Sequence, residues 1–157
     1  MRRKDKEISD FKEILNLVEN ADTMHLALYD SDYPYIIPLS YGYEEIDNTL
    51  VFYFHGSKKG KKNDLINTDN RVCIEINTFD KYIPTGSSVT CLYSSLIGFG
   101  HVFKVEGLDA KHGLDLILTH CGFKDFKYNE ACFNGANVYK IVLDKITGKK
   151  STQDMFL

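Results

Sequence analysis

Two kinds of hydrophobic spacing divide the chain. Near the start, apolar side chains recur at steps of three and four residues, the spacing of one helix face: Ile8, Phe11, Ile14, Leu15 and Val18. Ser9 or Asp10 can cap such a helix, and the polar segment 20–22 favours its end. We therefore assign residues 1–21 to an N-terminal helical segment.

Beyond this segment the spacing becomes the alternation that is typical of half-buried strands. It predicts six strands, at 23–29, 35–43, 49–55, 71–79, 93–105 and 137–143. Helical features return at 63–66 and 111–121, and the longest loop is predicted over 81–89. Hairpin connections favour antiparallel pairing, so the pattern predicts an α+β protein built on a mostly antiparallel, six-stranded β-barrel with peripheral helices.

The length of 157 residues suits a single domain over 1–157, with the barrel at 22–146 and a polar C-terminal tail at 147–157. A net charge of −3 argues against a nucleic-acid partner. No run approaches the roughly 18 apolar residues that a membrane span requires, and the basic start is not followed by the apolar stretch of a secretory signal. We expect a cytoplasmic protein that binds neither nucleic acid nor membrane.

The cysteines argue against a metal centre. Cys73, Cys91, Cys121 and Cys132 form no C-x-x-C pair and have no regular spacing. In a cytosolic chain they are expected to be reduced thiols, several of which pack in the core. A zinc site made from them and His120 lacks the usual ligand spacing, so we expect no metal.

One proline and two glycines interrupt predicted strands. Pro38 cannot donate a hydrogen bond to a neighbouring strand, so its strand is an edge, is bulged, or turns its backbone towards something else. Gly98 and Gly100 lie inside the long strand 93–105, where glycine indicates a bend or a close backbone approach.

A basic segment between a strand and a helix start carries the first candidate chemistry. Residues 55–64, HGSKKGKKND, contain two glycines, a serine and four lysines. Free backbone N–H groups at a helix start attract an anion, and lysines add full charges, so the segment could hold a phosphate. The glycine spacing is not that of a Walker loop. The alternative is a solvated basic turn, which most lysine runs are.

Other residues near this segment have two interpretations. His55 ends an apolar strand and is either structural or suited to proton exchange beside a ligand. The segments 38–43 and 93–100 mix aromatic, hydroxyl and glycine residues. They either form the walls of a pocket for a flat aromatic ligand or line a barrel with tyrosines at its rim.

Four sequence segments, in this order along the chain, carry a resemblance to a known family: PYIIPLSYGY, LVFYFHGSKKGKKNDLI, YSSLIGFGHVFKVE and DKITGKK. Together they resemble the pyridoxamine phosphate oxidase-like flavoproteins, and within them the nitroimidazole reductase branch. The resemblance implies an FMN-binding split β-barrel that works as a homodimer, with FMN between the protomers.

The resemblance also implies roles for individual residues. Lys61 matches the family's phosphate-binding lysine, and its neighbours would frame the same phosphate: Gly56, Ser57, Gly60 and Lys62. His55 matches a histidine beside the flavin that is linked to reduction. Four residues match the strand along the isoalloxazine ring: Pro38, Leu39, Ser40 and Tyr41.

Two further matches concern the rest of the pocket. Tyr93, Ser94 and Ser95 are expected from the opposite protomer or at the pocket mouth, and Lys149 matches the lysine of the closing G-K pair. The chain has lysines where the family's phosphate lysine often has an arginine neighbour, which keeps the charge and loses the bidentate geometry.

The function implied by the resemblance is an FMN-dependent oxidoreductase. A small planar acceptor, such as a nitroaromatic or quinone-like compound, would stack on the flavin while His55 donates or relays a proton, with NAD(P)H as a possible electron donor. The alternatives are a flavin carrier without catalysis and a structural barrel without cofactor. Oxidation of pyridoxamine phosphate is disfavoured because no Arg-rich, Trp-containing segment follows Lys150.

Overall fold

The computed structural model describes residues 2–129 and 135–156. These described residues form three α-helices: α1 Phe11–Asn20, α2 Lys61–Thr68 and α3 Gly107–His120. The strands are β1 Glu7–Ile8, β2 Met24–Leu28, β3 Tyr35–Leu39, β4 Gly42–Ile46, β5 Thr49–Ser57, β6 Arg71–Thr85, β7 Ser88–Val105 and β8 Ala136–Ser151. Short 3₁₀ turns lie at Lys4–Lys6 and Gln153–Phe156.

The strands form one eight-stranded antiparallel sheet in the order β3-β2-β6-β7-β8-β5-β4, with β1 added beside β8. The first half of β8 pairs with β5, and Gly148 and Lys149 near its end pair with β1. The α+β class and the antiparallel sheet are confirmed. The predicted number of six strands was too low.

The differences from the prediction have local causes. The predicted strand 35–43 breaks after Leu39 into β3 and β4, which lie at opposite ends of the strand order. The predicted loop over 81–89 is instead the tip of the β6–β7 hairpin, where Gly86 has a φ of 64°. The polar tail continues β8 as far as Ser151, because strand pairing with β7 does not require apolar side chains.

The main core lies on one face of the sheet beneath α1, and a smaller buried cluster of Val51, Tyr53 and Ile117 packs β5 against α3. Ile14, Leu17 and Val18 of α1 are buried together with the inward residues of β2 and β6. The predicted face of α1 is therefore the face that packs. Asp10 caps this helix by accepting a hydrogen bond from the backbone N–H of Lys12 at 2.9 Å.

The sequence features at Pro38 and Gly100 both have structural causes. Pro38 lies on β3, an edge strand, where it pairs only with His25 of β2. A Cβ on Gly100 would collide with the backbone of Val142, where the register between β7 and β8 shifts. The edge position and the close backbone approach are confirmed.

The other side of β3, β2, β6 and β7, which we call the outer face, carries exposed apolar side chains: Ile36, Phe79, Ile97 and Phe99. In the register of the sheet, Ile36, Ala27, Cys73 and Phe99 form one row across these four strands. Exposed apolar side chains grouped on one face are candidates for an interaction or ligand site.

The cysteines are less buried than the sequence predicts. Cys73, Cys91 and Cys121 are free thiols. None of the three is fully buried, so the prediction that several cysteines pack in the core was wrong for these residues; Cys132 lies outside the described residues.

No helix in residues 2–129 and 135–156 is long and apolar enough to cross a membrane.

Candidate functional site

The basic segment becomes the turn between β5 and α2. Gly60 precedes α2 with a φ of 120°, a conformation that side chains disfavour, and no side chain caps the helix. The N–H groups of Asn63 and Asp64 bond back to the carbonyl of Gly60. The start of the helix thus leaves donors and partial positive charge facing outwards.

Asn63 holds this turn in shape. It is buried, its amide donates to the carbonyl of Ser57 at 2.9 Å, and its oxygen accepts from the Tyr139 hydroxyl at 2.6 Å. These bonds tie β5, α2 and β8 together beneath the lysines. The sequence reasoning missed Asn63, although a polar residue at a buried helix position is the signal that could have found it.

Lys62 lies half-buried above two aromatic rings. Its Nζ is 5.2 Å from the ring centre of Phe54 and 5.9 Å from that of Tyr139, and the missing side chain of Gly56 leaves room for it. Burial lowers the pKa of Lys62. Within the described residues it has no carboxylate partner. A partly desolvated cation of this kind is suited to receive an anion.

Lys61 has a different environment. Its Nζ lies 2.6 Å from Asp30 at the end of β2 and 5.3 Å from the ring centre of Tyr35. The hydrogen bond with Asp30 raises the pKa of Lys61 and lowers the pKa of Asp30. Asp30 was not recognised from the sequence because it lies far from the basic segment along the chain.

His55 points towards α3. It borders a cavity of about 180 Å³ whose other walls include Leu114, Ile117 and Phe126. Partial burial, and then the positive charge of Lys62, lowers the pKa of His55 below its ordinary value of 6.5. At neutral pH its imidazole is therefore mainly uncharged, with one nitrogen as donor and the other as acceptor.

The predicted ring-binding strand divides in the structure. Pro38 and Ser40 are exposed, whereas Leu39 packs against the core. Tyr41 is fully buried, and its hydroxyl is within hydrogen-bond distance of the carbonyls of Val18 and Ala21, at 2.6 and 2.9 Å. The Tyr41 side chain therefore presents no surface to a ligand.

The Y-S-S block and Lys149 lie together, but far from the basic turn. Ser95 pairs with Lys149 across β7 and β8, and Lys149 Nζ is 5.6 Å from the ring centre of Tyr93. Ser94 pairs with Lys150 next to them. His55 adjoins the opposite end of these strands, at Val138. Between Tyr93 and Val105 run roughly 40 Å of extended strand.

A flavin nucleotide fits the residues at the basic end. The uncapped α2 start and Lys62 suit a phosphate. Beside the Lys61–Asp30 pair, a cavity of about 620 Å³ opens between β2 and β6 on the outer face and includes Arg71, Cys73 and Phe99. Its volume lies within the usual range for small-molecule sites. In the part of the chain that is described, no cluster of three or more potential ligands could hold a metal ion.

A match to a known protein family shows which family the chain belongs to. Residues 10–150 match the pyridoxamine 5′-phosphate oxidase family. The chain belongs to that family. No curated protein matches it.

Solved structures show the same fold. A candidate 5-nitroimidazole antibiotic resistance protein from Bacteroides thetaiotaomicron is 27% identical, with a TM-score of 0.81 over 91% of this chain and 85% of that one. A flavocytochrome from Azotobacter vinelandii is 14% identical, with a TM-score of 0.80 over 97% and 72%. An FAD- and heme-binding protein from Mycobacterium smegmatis is 17% identical, with a TM-score of 0.73 over 93% and 73%. The last two establish the fold alone.

Proposed function

We propose that this chain binds FMN, with the phosphate at the start of α2 and the isoalloxazine ring along β3. The observation that carries the proposal is Lys62: a half-buried ammonium group without a carboxylate partner among the described residues, beside an uncapped helix start. Lys61, which the sequence favoured, is paired with Asp30 and contributes less. Relatives named for flavin binding add support.

The site is completed by a second copy of the chain. Tyr93, Ser95 and Lys149 lie towards the end of the β7–β8 pair that is opposite Val138, the residue paired with His55. The exposed apolar side chains of the outer face give two copies a surface to bury. A homodimer that pairs these faces brings the Y-S-S block of one protomer to the basic turn of its partner.

The proposed activity is the reduction of a small planar acceptor, such as a nitroaromatic compound. Bound FMN would supply the electron transfer. The cavity beside His55 has apolar walls against α3 and the volume of a single-ring molecule, so an acceptor bound there must also reach the flavin ring along β3 for direct reduction. His55, mainly uncharged at neutral pH, holds a hydrogen bond to the acceptor and exchanges a proton at a ring nitrogen. The 5-nitroimidazole relative supports this class of acceptor.

Titration with FMN and with riboflavin tests the phosphate site. Lys62→Ala should weaken FMN binding by about tenfold or more, because a charge-assisted contact is lost. The same substitution should leave riboflavin, which has no phosphate, nearly unaffected. Lys58→Ala, a change at an exposed lysine of the same turn, is the control. Equal effects of Lys62→Ala on both ligands would remove Lys62 from the phosphate site.

Anaerobic mixing of the FMN-loaded chain with NADH or NADPH separates an enzyme from a carrier. Loss of the oxidised flavin absorbance, followed by its return when a nitroaromatic acceptor is added, supports the oxidoreductase. Flavin that stays oxidised with either donor supports a carrier. In His55→Ala, retained flavin with slower return of the absorbance is expected; an unchanged rate would exclude His55 from the reaction.

A further inference from the structure

A polar cluster interrupts the apolar outer face next to β3. His25 of β2 lies between Pro38 of β3 and Glu75 of β6 in the register of the sheet. Its Nδ1 is 3.0 Å from Glu75 Oε2, and the Asn77 amide donates to both oxygens of Glu75, at 2.8 and 3.1 Å. These side chains share the outer face with exposed Ile36 and Ile97.

The hydrogen bonds fix how the imidazole is presented. A carboxylate only accepts, so His25 donates from Nδ1, and Asn77 holds Glu75 in place from the other side. Nε2 makes no hydrogen bond within the described residues and opens to the surface. A histidine and carboxylate that are both partly exposed add little to stability.

We propose that His25, oriented by Glu75, hydrogen-bonds through Nε2 to the polar edge of the isoalloxazine ring. The inference rests on the proposed FMN site along β3. The polar edge of that ring carries carbonyl oxygens and one N–H group, so it can pair with Nε2 as donor or acceptor. His25 is directly opposite Pro38, one strand in from the edge along which the ring lies.

Proton NMR of the histidine ring signals tests the contact in the wild-type chain. FMN and riboflavin should both shift the His25 signal, because the contact is to the ring system they share. The signal of His112, which is bonded to Glu44 at 2.9 Å on α3, is the control and should not move. A His25 signal that stays in place while flavin binds would overturn the inference.

The affinities of substituted chains for FMN and riboflavin provide a second test of the His25 contact. His25→Gln should weaken FMN and riboflavin by the same factor, about fivefold to tenfold for one hydrogen bond, in contrast to the FMN-selective effect of Lys62→Ala. His112→Gln should change neither affinity. Unchanged affinities in His25→Gln would contradict the inference. If the wild-type chain binds neither FMN nor riboflavin, the proposed FMN site itself is wrong. If the chain binds both flavins and the His25 signal does not shift, only the His25 contact is wrong.

Discussion

The two ends of the β7–β8 pair have very different construction. At the Val138 end, the basic turn is tied down by the buried Asn63 and stands above stacked aromatic rings. At the Ser151 end, Tyr93, Ser95 and Lys149 are half-buried side chains on the sheet, with a single cation–ring contact. The first end is held in shape by contacts within one chain, as the proposed phosphate site requires. The second end has few such contacts, and its proposed role depends on a second copy of the chain.

The largest expected effect comes from mixing two variants, one damaged at each end. Lys62→Ala and Ser95→Trp should each bind FMN weakly as homodimers. After unfolding and refolding together, about a quarter of the sites should recover, since half of the dimers are mixed and each contains one intact site. The measurement is FMN fluorescence quenching. Recovery no greater than the average of the two variants would mean that each site lies within one chain.

The outer face can be tested with two phenylalanines of equal exposure. Phe79 lies on this face and Phe123 lies after α3, and each side chain is 58% exposed. Phe79→Asp should convert a dimer to a monomer in light scattering, because a carboxylate would be buried at an apolar interface. Phe123→Asp should leave the mass unchanged. A dimer that persists in Phe79→Asp places the interface elsewhere.

Asn63→Ala should show how much the hydrogen bonds of Asn63 contribute to the stability of the basic turn. The change removes both hydrogen bonds of the buried Asn63 side chain, and the Tyr139 hydroxyl loses its acceptor while it still accepts from Asn137 at 3.2 Å, at a cost of roughly 1–3 kcal/mol in the free energy of unfolding. FMN affinity should fall as the turn loosens. Urea unfolding of this variant and of Asn67→Ala, an exposed position on the same helix, measures the difference. Equal stabilities would show that Asn63 does not anchor the turn.

The smallest effect is expected at Asp30. Asp30→Asn frees Lys61 and should tighten FMN binding by about twofold to fivefold, with Asp32→Asn as the control. The pairing lowers the pKa of Asp30 below its ordinary value of 3.8. The pair is therefore intact above that pH and is lost as the pH falls through the lower value of the folded state. The gain should be constant between pH 7.5 and pH 9, where Asp30 and the phosphate of FMN keep their full negative charges and Lys61 its positive charge; a gain that varies with pH there has another cause.

The sequence predicted local structure well where a pattern repeats. The apolar spacing of α1, the continuous apolar run of β5, the alternation of β6, the edge position of Pro38 and the close approach at Gly100 follow from neighbouring residues. The ordered segments also led to the correct family. The break after Leu39 was missed because Tyr41 continues the apolar pattern while its side chain turns into the core against α1.

What the sequence determined by itself was the class, the antiparallel pairing and the presence of a basic turn between a strand and a helix. Only the tertiary structure distinguished Lys61 from Lys62, because their partners, Asp30 and Tyr139, come from distant parts of the chain. The same holds for the separation of the Y-S-S block from that turn. Periodicity reports on neighbours along the backbone, whereas charge pairing and distance across a sheet depend on which strands meet.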